Sequence, residues 1–529
     1  MNHFCLLWLL VGLLPCCVLA QAPVVFETLP ATLQLYPRNA INQAEVSIAG
    51  TLTDPACARV SVVVLREGQR WKYATQSPAF INGRAAFRLP VVIQAEAAEY
   101  TFRVFISKGP DSVLVADRQR VVCGDVYVLY GQSNAGALAG IDRYEIDDRL
   151  LRNIAIPYQS ASPRTDIAWY PSRQPFGNVG VLGLEIQKLI LKNHGIPTCL
   201  INGSEGGASI TALTRRDSVG LSTLYDKLLF RVKWGGLSGS VKGIIFKQGE
   251  NEASGFPAGY DAKFKTFHDQ LRRDYGATSR LYVGQINILE YPVEERASEL
   301  RDFQRRAKQL YPNLETIATV GANGYDGLHY SMEGNIKIAL EQYRQIARDV
   351  YGATDNAQIN SPDVRKVFFN ARRDSITLVF DADQRLRFPK DTVYYDFMRG
   401  TETRIPMAKY LYNDGQSGLV TGGRAEGQRV ILGLKPGITP GTVPAKTLTY
   451  LPSFFPVDAT FNQYNGPHLT NGRGMRAFSF YNVPIADALP AILTLQVRYV
   501  QTLTNLYFKL LTCDFNYCKH NFPKLGWRK

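Results

Sequence analysis

Three patterns of apolar and polar positions follow one another along the chain. From residue 22 to about 120, short runs alternate apolar with polar side chains: "AEVSIAGTL" (44–52), "ARVSVVVLR" (58–66), "AAFRLPVVI" (85–93) and "EYTFRVFIS" (99–107). A period of two, broken by turn residues, predicts half-buried strands and a small β-sandwich. From Val121 the period changes, and continuous apolar runs alternate with amphipathic helical segments. The runs are "VYVLYG" (126–131), "TCLING" (198–203), "VKGIIFKQG" (241–249), "RLYVGQIN" (280–287) and "ETIATVG" (315–321). Helical periodicity covers 181–195, 221–234, 260–276, 293–312 and 333–352. This order predicts an α/β domain over 121–352: a five-stranded parallel sheet with helices on both faces and its site at the carboxyl ends of the strands. Beyond about residue 353 strand-like runs return, among them "SITLVF" (375–380) and "RVILGL" (429–434), predicting a C-terminal β-domain, sandwich-like, over 360–484. The tail 486–529 is apolar, aromatic and basic without a clear period, and its role is not assigned.

Charge changes this picture little. The formal charge is +14, but six basic residues stand against Asp514 alone between Arg498 and Lys529, and elsewhere bases and acids interleave on presumptive helices. That is the pattern of solvated faces, and nucleic acid is not an expected partner. The N-terminus, residues 1–20, has an apolar stretch from Phe4 to Ala20 that closes on Val18-Leu19-Ala20, as a secretory signal cleaved after Ala20 would. A secreted or periplasmic protein with no stable membrane span follows. An n-region lacking Lys and Arg leaves a membrane-anchored form open. Removal of the signal leaves Cys57, Cys123, Cys199, Cys513 and Cys518; bridges Cys57–Cys123 and Cys513–Cys518 with a buried free thiol at Cys199 are one arrangement. No cysteine and histidine spacing suits a zinc site, so no metal and no cofactor is expected.

Candidate chemistry lies in the loops after the middle strands. The first strand ends in Gly131-Gln132-Ser133-Asn134, where a glycine permits a sharp turn and places Ser133 at a helix start. A serine there is by default a turn or capping residue. The second strand ends in "NGSEGGASI" (202–210), in which Gly206 or Gly207 lets a backbone N–H approach a ligand; no phosphate-binding fingerprint fits it. The third ends in "KQGENEAS" (247–254), with Gln248 and Asn251 as uncharged donors suited to an oxyanion and Glu250 as an acid without a fixed assignment. The fifth runs into "GANGYDGLHYSMEGN" (321–335), where Asp326 precedes His329 by three residues, and a D-x-x-H turn can hold an imidazole as a directed base. Of six histidines only His329 falls at a predicted strand end. Each feature alone has a plain structural explanation. Together they place a nucleophile, oxyanion donors and an acid–base pair at one edge of one sheet. Ala135 rules out the G-x-S-x-G elbow of α/β-hydrolases.

"GDVYVLYGQSNA", "GGASI", "GIIFKQGENEAS" and "DGLHYS" occur in this order over about residues 121–352, and with them the chain resembles the SGNH hydrolase superfamily in its GQSN branch, the sialate O-acetylesterases and related carbohydrate acetylesterases. The resemblance implies a flavodoxin-like three-layer sandwich, with Ser133 as nucleophile, His329 as general base and acid, and Asp326 as its orienting partner. It implies an oxyanion hole from the Ser133 N–H, the Gly206 N–H and the Asn251 side chain. Gly207 stays an alternative to Gly206, Glu250 a rival to Asp326, and Gln132 and Gln248 are further site candidates. The expected activity is removal of acetyl groups from sugar hydroxyls through an acyl-serine, on an O-acetylated sugar or glycan. Acetylxylan or another polysaccharide is the alternative substrate, a lipase acting on long acyl chains is a rival activity, and a carbohydrate-binding protein without turnover is the non-enzyme alternative. The segment 211–217, "TALTRRD", stands where relatives often carry a tryptophan. Arg164, Arg173, Arg215 and Arg216 are the candidates to meet a substrate carboxylate.

Overall fold

The computed structural model describes residues 23–487, apart from 148, 158–159, 161, 174–177, 218–219, 256–257, 277–278, 291–295, 397–399, 437–445, 455–463 and 465. The segment expected to be a signal, the pair Cys513 and Cys518, and all of the tail from 488 onward lie outside the described residues. Within them the chain divides into two compact units, one made of the residues up to Leu289 with Arg306–Asn356, the other of Glu290–Arg305 with the residues from Ala357 onward.

The first unit opens on two antiparallel sheets. Val24–Thr28, Gln43–Leu52 and Ala85–Gln94 form one; Arg59–Arg66, Gln69–Gln76, Tyr100–Lys108 and the first half of Asp111–Gly131 form the other. Alternation along Ala85–Gln94 buries every second residue, so that Phe87, Leu89, Val91 and Ile93 meet Val60, Val62, Val64, Phe102 and Val104 in one core. Cys57 and Cys123 belong to this core as free thiols. The expected bridge between them is therefore absent. Each fills space as a small apolar side chain, and burial pushes the Cys123 thiol up to about 12. Cys199 is a buried free thiol, as expected.

The strand Asp111–Gly131 does not stop at the sandwich. Its second half becomes the centre of the α/β sheet, whose order is Ala168–Pro171, Leu151–Ala155, Thr198–Asn202, Asp111–Gly131, Val241–Lys247, Arg280–Gln285, Leu314–Ala318. All five expected strands are present, but the sheet is not five-stranded. Leu151–Ala155 pairs parallel to Thr198–Asn202 and makes six parallel strands, and Ala168–Pro171 adds an antiparallel edge. The missed strand reads "LRNIA", with two polar residues at its centre. Arg152 is nonetheless fully buried, because its guanidinium is bonded to Glu99 at 2.9 Å and to the carbonyls of Leu33, Arg120 and Arg149. An ion pair and four carbonyl contacts, including that of Leu151, offset the cost of burying this charge.

Helices cover both faces. Tyr127 and Tyr130, three apart on the central strand, point to opposite sides. The Tyr127 hydroxyl lies 3.0 Å from that of Tyr351 on the helix Met332–Tyr351, whereas Tyr130 packs on Tyr225 and Phe267 of the helices Leu224–Trp234 and Tyr260–Tyr275. The central strand is also where the chain reverses its direction across the sheet. Its neighbour on one side leads toward Leu151–Ala155 and on the other toward Leu314–Ala318. Open α/β sheets bind ligands at the carboxyl ends of such a switch point.

The second unit contains two four-stranded antiparallel sheets, Val364–Phe369, Ser375–Phe380, Arg429–Leu434, Val420–Glu426 and Gln416–Ser417, Leu411–Asn413, Thr447–Tyr450, Phe480–Pro484, with two further strand pairs.

Candidate active site

At the switch point Gly131 ends the central strand with φ +136°, and a Cβ there would sit 2.0 Å from the carbonyl oxygen of Lys247. Only glycine fits this close approach, and it lets the chain turn at once into the short helix Ser133–Gly136. The turn is tied to its neighbours on both sides. The Gln132 N–H donates to Lys247 O at 3.1 Å, and the Glu205 N–H donates to Gly131 O at 3.1 Å. The buried Gln132 side chain accepts from the N–H groups of Gly249 and Asn251, each at 3.3 Å. Gln132 therefore acts as a fastener between two loops, with its oxygen already used.

His329 comes from farther away, on the loop after Leu314–Ala318, three strands from the centre. That loop is a miniature hairpin. Tyr325 bridges Tyr330, the Ser331 N–H donates to Gly324 O at 2.8 Å, and Gly324 adopts φ +65° where a Cβ would collide with the Ser331 side chain. Its tip is the turn Asp326-Gly327-Leu328-His329. The Asp326 carboxylate accepts the N–H groups of Leu328 at 2.9 Å and of His329 at 2.6 Å, an Asx-type turn. The outcome is a distance of 3.0 Å between Ser133 Oγ and His329 Nε2. With the ring proton on Nδ1, Nε2 is free to accept from the hydroxyl. Among the described residues no hydrogen bond joins the Asp326 carboxylate to the imidazole itself; its grip is on the backbone that carries the ring.

Among the described residues Glu250, the rival acid, makes no hydrogen bond to the imidazole either. It is almost fully buried, with Oε1 accepting from Asn134 Nδ2 at 2.7 Å and lying 3.7 Å from Lys247 Nζ. The same Asn134 Nδ2 donates to Leu328 O at 2.9 Å, so Glu250 reaches the histidine loop through Asn134. Lys247 Nζ in turn sits 4.6 Å from the centre of the Tyr330 ring, beside the histidine. Asn134 is the residue that sequence reasoning passed over. It was visible in the "GQSN" block, but its role depends on a loop almost two hundred residues away.

The remaining candidates separate. Asn251 is exposed and donates to Gly207 O at 2.8 Å, which binds the Gly206–Gly207 turn to the third loop. Gly206 is exposed, with open space beside it, and among the described residues no backbone carbonyl accepts its N–H. Gln248 is fully buried away from this opening. Its amide donates to Glu252 and to Ala208 O, while its oxygen accepts from Tyr260 at 3.0 Å. Glu252, likewise unsuspected from sequence, also accepts the Ile210 N–H at 2.6 Å and fixes the start of the helix Ile210–Thr214. Of the arginines, Arg216 is paired with Asp226 and Asp274, Arg164 lies over Phe230, Arg173 donates to Asp142 O, and Arg215 is exposed at the end of Ile210–Thr214. Among the described residues no cluster of three His, Cys, Asp or Glu is placed to hold a metal ion. Nor is any helix there long and apolar enough to cross a membrane.

Residues 123–347 match the family described as "Carbohydrate esterase, sialic acid-specific acetylesterase". Among solved structures, a carbohydrate acetylesterase from Xanthomonas citri is similar with a TM-score of 0.56 at 18% identity, covering 86% of this chain and 99% of its own. A protein from Arabidopsis thaliana matches at 16% identity over 41% of this chain and 94% of its own, TM-score 0.34. A family two carbohydrate esterase from Cellvibrio japonicus matches at 13% identity over 62% and 97%, TM-score 0.27. No curated protein sequence matches the chain. The α/β part of the chain, residues 123–347, thus matches the carbohydrate esterase family of sialic acid-specific acetylesterases, and the protein is a carboxylic ester hydrolase.

Proposed function

We propose that the protein is a secreted carbohydrate O-acetylesterase that works through an acetyl-serine on Ser133. The observation that carries this reading is the 3.0 Å approach of His329 Nε2 to Ser133 Oγ at the open carboxyl end of the sheet. Nε2 takes the hydroxyl proton as Oγ attacks the acetyl carbonyl carbon. The sugar oxygen then leaves with that proton, and acetyl-serine remains. Water repeats the sequence: His329 takes a proton from it, acetate departs, and Oγ recovers its proton. The developing oxyanion meets the Ser133 N–H, which by position at a helix start has no partner within the helix, the Gly206 N–H and the second hydrogen of the Asn251 amide. Asp326 orients the histidine. Oδ1 holds the turn while Oδ2 remains for the Nδ1–H, three residues along the same turn.

The substrate is an O-acetylated sugar, sialic acid first, with acetylated xylan as the alternative. Because Arg216 is already neutralised by two aspartates, selectivity for a carboxylated sugar would rest on the exposed Arg215. Acetate release measured across O-acetylated sialic acids, acetylated xylan and an acyl-length series of aryl esters tests the reading. Release from acetylated sugars, with acetyl preferred over longer chains, is expected. A preference for long acyl chains would overturn it in favour of a lipase.

A further inference from the structure

The second unit carries a cleft of about 450 Å³, within the range of roughly 300–1,000 Å³ typical of small-molecule sites. Three aromatic side chains, Tyr412, Phe454 and Tyr481, line it together with Asp414, Thr449 and Asn482. Its wall is built rather than incidental. Arg301 is buried and donates to Pro452 O, to Ser453 O at 3.0 Å, to Ser298 Oγ at 3.2 Å and to Ser479 Oγ at 3.1 Å. This holds the segment Pro452–Ser453 along one side.

The charge of Asp414 is spent in the same way. Its carboxylate accepts the N–H groups of Lys446 and Thr447 and the Thr447 hydroxyl, all between 2.8 and 3.0 Å. Two polar groups are left for a visitor. Asn482 uses its oxygen to accept from Thr447 at 3.4 Å and Thr449 at 3.2 Å, and among the described residues nothing accepts its amide hydrogens. Among the described residues Tyr412 makes no hydrogen bond through its hydroxyl, and burial pushes the phenol up to about 12, so it stays a neutral donor.

Aromatic faces beside neutral donors, with both charges committed to the scaffold, do not suit an ion. They suit a pyranose, which offers a face of C–H bonds to the negative face of a ring and a rim of hydroxyls to the amide and phenol. We propose that this cleft is a saccharide-binding site, separate from Ser133, that takes neutral sugar units of a glycan chain. It requires no particular assignment at Ser133.

The test uses the full chain and unacetylated xylohexaose, cellohexaose and chitohexaose, with association measured by calorimetry. The wild type is expected to bind at least one. Tyr412→Ala should weaken that binding about tenfold or more, equivalent to about 1.4 kcal/mol. Tyr412→Phe keeps the ring and the fold and removes only the hydroxyl, so a smaller loss of several-fold is expected. Both variants should hydrolyse an aryl acetate at the wild-type rate. Absence of binding to all three sugars by the wild type would overturn the proposal. So would wild-type affinity in a folded Tyr412→Ala protein, or, should that variant not fold, in Tyr412→Phe.

Discussion

The loop that carries Ser133 and the loop that carries His329 meet at 3.0 Å, yet they are held by different means. The serine loop is short and continues a central strand. Neighbours on both sides tie it down through Gln132, Lys247 O and Glu205 N–H. The histidine loop starts from a strand three places away and shapes itself, through the Asp326 turn and the Tyr325–Tyr330 bridge. One side chain, Asn134, joins the two, backed by a buried glutamate. A serine that continues a central strand is thus placed by the sheet and the loops beside it, whereas a histidine brought from the sheet edge needs its own turn and a strut.

The comparison breaks first at the reacting atoms. Ser133→Ala and His329→Ala should each lower kcat on an aryl acetate by about 10⁴-fold or more with folding intact, and the double variant should be no worse than either single one, since residues acting as a unit are not additive. Turnover near wild type in Ser133→Ala would remove the nucleophile assignment. Next comes the oxyanion. Asn251→Ala should cost about 100- to 1,000-fold in kcat. A mere two-fold loss would exclude its side chain, and since Gln248 is committed to Glu252 and Ala208, the backbone donors alone would remain.

The two carboxylates sharpen the contrast between the loops. Asp326→Asn should lower kcat by about tenfold or more at nearly unchanged melting temperature, as the orienting partner of a general base would. Glu250→Gln keeps an acceptor for Asn134 but leaves Lys247 buried without its carboxylate, so it should lower the melting temperature more than kcat. The reverse order would make Glu250 the acid. The smallest effect is expected at Gly206. Gly206→Ala has open space around it and should stay within a few-fold of wild type in kcat, whereas Gly131→Ala, with a Cβ 2.0 Å from a carbonyl oxygen, should lose both activity and stability. Equal behaviour of the two variants would mean that the serine turn is not the rigid element described above.

Much of the architecture was legible because it follows from periodicity. The two-residue alternation of Ala85–Gln94 and the apolar runs of the parallel strands announced themselves, as did the amphipathic helix Met332–Tyr351. The missed strand Leu151–Ala155 shows the limit of that signal. Its buried Arg152 is paid for by Glu99, which no local pattern reveals. The cysteines failed for a related reason: an odd set with a convenient pair suggested a bridge, but Cys57 and Cys123 serve as apolar packing. Gln248 and Asn251, three residues apart in one loop, looked equivalent as donors, and only burial told them apart.

What the sequence determined by itself was the order of elements and the chemical inventory at the strand ends, because both depend on side-chain type and spacing. What the tertiary structure decided was which of those groups meet. Strand order places the serine at the centre and the histidine strand at the edge, and packing commits the side-chain oxygen of Gln132 and the amide of Gln248 to structure. It also directs the Asp326 carboxylate to the backbone of the turn and draws Asn134 between two loops far apart in the chain. Distances between such loops follow from the pairing of strands, a long-range property that no local run of residues encodes.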